Sequence, residues 1–166
     1  MPIKLPAVWV IVLNVGGWLS LQLALAWTFT RMPVTWFRPV APRAWEKGGR
    51  IYERFAAIRR WKDLLPDGAR WFEGGFGKGA LDSIDPEYLQ RFLRETLRGE
   101  LCHWFAISGA PVFFLWNPWW GDLIIIAYAL AANLPCILTQ RYNRARIFRL
   151  IGQLHSRTGR GGQTAL

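Results

Sequence analysis

Apolar positions in this chain gather into three blocks, and the stretches between them are dense with charge. From Ala7 to Phe29 the only polar side chains are Asn14, Ser20, Gln22 and Thr28, a run of 23 residues. About 20 helical residues cross a bilayer. A secretory signal peptide is the competing reading, because Ala24-Leu25-Ala26 resembles a cleavage site; the run is long for such a segment, and a retained anchor is expected. The second block, Leu101 to Trp116, is short for a span. It either crosses, extended by the helical pattern before it, or re-enters. Asn117-Pro118 then makes a turn, and Trp119 to Thr139 forms a third block of 21 residues. Trp116, Trp119 and Trp120 cluster at this turn, as indole rings do at a membrane–water interface. The predicted fold class is an all-α integral membrane protein, residues 1–166 forming a single membrane domain. About three transmembrane helices (7–29, 101–116, 119–139) are expected, with amphipathic helices in the long loop 30–100.

Two helices are predicted in that loop. Arg50 to Lys62 places Ile51, Phe55 and Ile58 at helical spacing among Arg50, Arg54, Arg59, Arg60 and Lys62, with Trp61 beside them. Such a basic amphipathic helix suits the membrane surface, or packs by its stripe on the other helices. Leu65-Pro66-Asp67-Gly68 reads as the turn that stops it. Asp85 is the expected N-cap of the second helix, with Pro86 at its first position and Glu87 favourable to the dipole. Leu89, Phe92, Leu93, Thr96 and Leu97 supply its apolar stripe. Only Gly99 interrupts it before Cys102, so one continuous helix is expected to enter the membrane near His103.

Charge fixes an expected orientation. Residues 30–100 hold 14 Lys and Arg against 10 Asp and Glu; the tail 140–166 has six Arg and no acid; the Trp-rich turn has no Lys or Arg. The positive-inside rule puts loop and tail in the cytoplasm and the N-terminus outside. A net charge of +10 with 52% apolar residues therefore implies the lipid bilayer as partner and no nucleic acid.

The chemistry-bearing residues crowd at the cytoplasmic ends of the second and third blocks. On a helix Thr96, Glu100 and His103 share one face, while Glu95 and Arg98 pair on a neighbouring one. A carboxylate beside an imidazole is the usual support of a general base. The competing reading is a polar anchor at the end of a span, though ionisable groups entering a membrane segment lean towards function. Asn133 is costly at its depth unless paired, and Pro135 should kink the third span. Gln140-Arg141-Tyr142-Asn143-Arg144-Ala145-Arg146 follows; its arginines suit positive-inside anchoring, whereas Gln140 and Asn143 are not needed for that.

Other chemistries fit less well. Glu73-Gly74-Gly75-Phe76-Gly77-Lys78-Gly79 lacks the Walker A spacing. Glu100-x-x-His103 is half of a di-iron pattern, but Gly152 precedes the other histidine, His155, by three, so no metal or other cofactor is expected. There is no G-x-S-x-G elbow. Cys102 and Cys136 lie in apolar runs and read as small buried hydrophobes.

Several segments together resemble the small membrane acyltransferases of the glycosyl-diaponeurosporenoate acyltransferase family, which complete staphyloxanthin-type carotenoids. They are Arg59-Arg60-Trp61-Lys62, Leu65-Pro66-Asp67-Gly68, Glu95-Thr96-x-Arg98-x-Glu100-Leu101-x-His103-Trp104, Tyr128-Ala129, Asn133-x-Pro135 and Gln140-Arg141-Tyr142-Asn143-Arg144-x-Arg146. The resemblance implies transfer of a fatty acyl group from a donor on some carrier to a hydroxyl of a glycosylated carotenoid or related glycolipid, in a bacterial cell (inner) membrane. It makes His103, Glu100 and Glu95 the candidate catalytic residues. Arg98, Thr96, Asn133, Gln140, Arg141, Tyr142, Asn143, Arg144, Trp61 and Lys62 become candidates for substrate binding. His103 would take the hydroxyl proton with Glu100 orienting it, and Arg141, Gln140 or Asn143 would stabilise the oxyanion or hold donor phosphates. The cysteines fall where the family motif is open, which argues against a cysteine nucleophile. The alternative class is a non-enzymatic membrane subunit binding a pigment or a larger membrane complex.

Overall fold

Helix α1, Ala7–Arg31, begins where Pro6 holds an extended backbone and ends at Met32, which turns extended ahead of Pro33. Its 25 residues make a rod on the order of 37 Å long, enough for a bilayer's hydrocarbon core. A computed structural model describes residues 3–65, 76–77 and 81–161, with side chains described to residue 156. Val8, Trp9, Ile11, Val12, Val15, Leu19, Leu23 and Trp27 all point outward from α1, and only Trp18 and Phe29 are buried. Apolar residues on the sides of α1 turned away from the rest of the protein suit a helix with lipid on those sides.

After α1 the chain forms short 3₁₀ turns at Val34–Trp36 and Ala44–Gly49, then helix α2, Arg50–Phe55. The expected basic helix over 50–62 is not continuous. α2 stops at Ala56, Ala57 takes a left-handed φ of 45°, and 3₁₀ turns follow at Ile58–Arg60 and Lys62–Leu64. Long-range packing overrides the local period here. Ile58 is fully buried in a cluster with Tyr52 and Tyr142, whereas Phe55 is 75% exposed. The Trp61 indole donates to the Ala56 carbonyl at 2.7 Å, closing the broken end of α2. The expected turn at Leu65–Gly68 and the Gly-rich segment 73–79 lie outside the described residues, apart from Leu65, Phe76 and Gly77.

Helix α3, Pro86–Gly109, starts as its sequence predicts: the Asp85 carboxylate accepts the N–H groups of Glu87 (3.0 Å) and Tyr88 (3.2 Å). It runs through Gly99 without a break. At Ala110 the backbone tightens into a 3₁₀ segment, Ala110–Leu115, because Pro111 has no N–H to continue the α-helical ladder. The second apolar block is thus not a helix of its own. Its α-helical part is the end of a helix whose first two thirds carry Glu87, Arg91, Arg94, Glu95, Arg98 and Glu100. The expected three spanning helices are corrected to two, α1 and α4, that are long and apolar enough to cross a membrane.

Helix α4, Trp119–Gly161, holds Pro135 within it and carries the third apolar block straight into the basic tail. α3 lies along α4, and α1 packs on α3. Three polar contacts set the register of α1. At one end Asn14 and Asn117 exchange amide hydrogen bonds (2.9 and 2.8 Å), and the Trp116 indole adds a third to Asn14 at 2.8 Å. At the other end Arg98 Nη1 donates to the Thr30 carbonyl at 3.2 Å, satisfying a helix-terminal acceptor. Between them Gln22 meets Asn133. Gly109 leaves room for α1: a Cβ there would stand 2.8 Å from Leu21. Apolar clusters lie on both sides of this middle level. One is Trp18, Ala110, Phe113, Ile125 and Ala129, and the other Leu89, Phe92, Leu93 and Ile147.

Candidate active site

Glu100 is the electrostatic centre of the middle level. It is 4% exposed, and its two oxygens accept from Arg141 Nε at 2.6 Å and Arg144 Nη2 at 2.5 Å. Arg141 and Arg144 are three apart on α4 and so share a face. Gly99 makes the approach possible: a Cβ there would stand 3.2 Å from the Gln140 side chain. Burial pushes the Glu100 carboxyl up, but Arg144 and Arg141 outweigh it and hold the group below the ordinary carboxylate range. The Trp104 indole donates to Oε1 at 3.4 Å. Arg144 Nη1 and Gln140 Oε1 are buried here with no hydrogen-bond partner.

One turn deeper, His103 Nδ1 lies 2.8 Å from Asn133 Oδ1. The proton on this bond can be assigned. Asn133 is fully buried and its Nδ2 donates to the Ala129 carbonyl at 2.9 Å. A backbone carbonyl only accepts, so the amide nitrogen must face Ala129 and the oxygen must face the imidazole. Nδ1 therefore carries a hydrogen, and it is Nε2 that bears the lone pair whenever the ring is neutral. Gln22 Nε2 also donates to Oδ1, at 3.4 Å. The expensive amide of the third apolar block is thus paired on both of its ends.

The sequence-predicted residues divide by what they touch. Glu100, Arg141, Arg144 and Gln140 come together, with His103 and Asn133 in the next layer. The partner that bonds His103 Nδ1 is Asn133, while Glu100 gives both oxygens to the arginines. Glu95 pairs with Arg98 at 2.7 Å, and Arg98 reaches on to the end of α1. Thr96 is fully buried and donates to the Leu93 carbonyl at 2.6 Å. Tyr142 is fully buried, and its hydroxyl donates to Glu53 at 2.9 Å. Asn143 is buried as well. Trp61 closes α2 as described, and Lys62 pairs with its neighbour Asp63.

Sequence reasoning missed Gln22, Glu46, Tyr52 and Glu53. The Tyr52 hydroxyl donates to Glu46 at 2.8 Å, and both side chains face Arg141. Burial and the Glu46 carboxylate push the Tyr52 phenol well above its ordinary range, so it stays a neutral donor. Gly48 and Gly49, with φ of 62° and 94°, bring this segment onto α4; a Cβ at Gly49 would stand 3.3 Å from Tyr142. The adjacent glycines at 48 and 49 are the one local signal of that left-handed turn. Gln22 shows in the sequence only as an amide inside an apolar run.

Comparison with known proteins adds a family. Residues 33–153 match the family model described as glycosyl-4,4'-diaponeurosporenoate acyltransferase. Proteins of that name from Staphylococcus aureus strains USA300 and NCTC 8325 are 33% identical over 144 residues, covering 84% of this chain and 87% of theirs. The protein of that name from strain Newman is 33% identical over 138 residues, with 81% and 83% covered. No solved structure matches.

Proposed function

We propose, since the chain belongs to the glycosyl-4,4'-diaponeurosporenoate acyltransferase family, that it esterifies a hydroxyl of a glycosylated carotenoid or a related glycolipid with a fatty acyl group. The protein is an acyltransferase, and this decides against the non-enzymatic subunit. The observation that carries the reading is the 2.8 Å contact of His103 Nδ1 with an Asn133 whose orientation is fixed. It keeps a hydrogen on Nδ1, so that the proton a general base exchanges is the one on Nε2.

In the proposed reaction Nε2 takes the proton of the acceptor hydroxyl as its oxygen attacks the donor's carbonyl carbon. Arg144, whose Nη1 is buried without a partner, stabilises the oxyanion that forms, with Arg141 beside it. The intermediate collapses, the carrier leaves with the proton from the imidazolium, and the ester remains. Asn133 acts by orienting the ring, the role a hydrogen-bond acceptor at Nδ1 plays in other acyl-transfer sites. Glu100 acts by holding Arg141 and Arg144 in place. Neither a metal nor a cofactor has a step in this sequence.

We place the chain in a bacterial cell membrane with its loop and tail cytoplasmic. From Arg98 to Asn117, α3 and the 3₁₀ segment together rise on the order of 28 Å beside the stretch of α1 from Thr30 to Asn14, itself about 24 Å long. This segment carries the chain back along α1, while α1 and α4 are the helices long and apolar enough to span. The charged clamp then lies at the cytoplasmic border and His103 a turn inside it. An amphiphilic acceptor fits that position, its sugar at the border and its polyene among apolar side chains. The test is reconstitution: purified protein in vesicles, given a glycosylated carotenoid and a fatty acyl donor, should yield an acceptor heavier by one acyl group. Acylation of an unglycosylated carotenoid alone, or of no lipid, would overturn the acceptor assignment.

A further inference from the structure

Helix α1 lies outside the region matched by the family model, which starts at residue 33, and by composition it is a plain membrane anchor. One of its side chains nevertheless reaches the candidate active site. Gln22 Nε2 donates to the same Asn133 oxygen that His103 Nδ1 contacts, at 3.4 Å. We propose that Gln22 is a positioning residue for His103, acting through Asn133, so that α1 is a functional wall of the site as well as an anchor. This inference rests on His103 being the general base.

An amide in an apolar helix is costly unless its hydrogen bonds are made, so Gln22 gains from a partner within reach, and Asn133 is that partner. A carbonyl oxygen has two lone pairs. With Gln22 on one and His103 on the other, Oδ1 is filled, and with Nδ2 on Ala129 the Asn133 side chain is held at both ends. A side chain so held keeps the imidazole in one plane and in one tautomer. Finally, Gln22 is the middle one of the three polar contacts that α1 makes among the described residues. Asn14 and the carbonyl of Thr30 secure its ends, so Gln22 is not required to keep α1 docked.

That division supplies the test. Gln22→Leu and Asn14→Leu each remove one polar contact of α1, but only the first lies at the His103 level. Both variants and His103→Ala are compared with the native chain in membranes at equal expression, for turnover, apparent KM and thermal unfolding. Gln22→Leu should lower kcat by at least ~10-fold, a share of the 10²–10⁴-fold that general-base catalysis supplies, with KM for the acyl donor little changed. Asn14→Leu should lower the unfolding temperature and leave kcat close to native. If Gln22→Leu keeps native kcat while His103→Ala is inactive, Gln22 has no positioning role and the base assignment stands. If both variants lower kcat only in proportion to lost folded protein, the role of Gln22 is structural and the inference fails. A fully active His103→Ala removes the base itself, and this inference with it.

Discussion

Glu100 is a buried carboxylate between two arginines, and its energetics follow from that placement. Removing one member of a buried ion pair leaves the others uncompensated, which costs about 3–5 kcal/mol. Glu100→Gln is therefore expected to destabilise the fold by ~3 kcal/mol, the lower end because Arg141 is a third exposed. The pH dependence has a definite sign. The folded-state pKa of Glu100 lies below its unfolded value, so its contribution is complete above about pH 4.3 and is lost as pH falls through the folded pKa. Thermal unfolding in detergent should show the native protein weakening on acidification below that range and Glu100→Gln responding less steeply; parallel curves would contradict the clamp. Glu100, His103, Asn133 and Arg141 were all legible in the sequence, because each is a polar or charged residue inside an apolar block or at its edge. Their pairing was only partly legible. Helical spacing offers Glu100 as the neighbour of His103, but the partner of Nδ1 comes from α4, thirty residues on, and no local period encodes that. The partner of Gln22 was hidden for the same reason.

The start of α3 was readable to the residue, since an Asp N-cap followed by Pro is a local device and local devices survive folding. The basic helix over 50–62 was not, because Ile58 is drawn into a pocket with Tyr142, more than eighty positions away, and the backbone bends at Ala57 to deliver it. The second apolar block failed as a helix through Pro111, whose effect on the ladder its composition concealed. The segment Ala44–Phe55 illustrates how such long-range docking is held. At Gly49 the left-handed backbone and the nearby Tyr142 ring both exclude a side chain. Gly49→Ala should cost roughly 1–3 kcal/mol in strain and loosen this segment from α4. Limited proteolysis of the native and variant proteins checks this: cleavage near residues 44–55 should become faster in Gly49→Ala, and equal rates would contradict the packing.

For the whole molecule, the family was legible from the beginning, because the motif residues from Arg59 to Arg146 stand in one order along the chain, and two of the apolar blocks do form helices long and apolar enough to span a bilayer. What needed the structure was how α1, α3 and α4 bring one polar layer together between two apolar clusters. The orientation proposed for that arrangement predicts that a cysteine at position 60 is shielded from an impermeant reagent outside intact cells, while one at position 119 is labelled; the reverse pattern would invert the topology. All of it converges on the imidazole in the middle layer, so the most direct measurement is the acyl-transfer turnover of His103→Ala in membranes, with expression checked by blot and Cys102→Ala assayed beside it. The account predicts that His103→Ala folds and loses ~10²–10⁴-fold in turnover, while Cys102→Ala stays near native. Native turnover in a well-expressed His103→Ala protein, with activity lost in Cys102→Ala, would contradict the account and point to a thioester route instead.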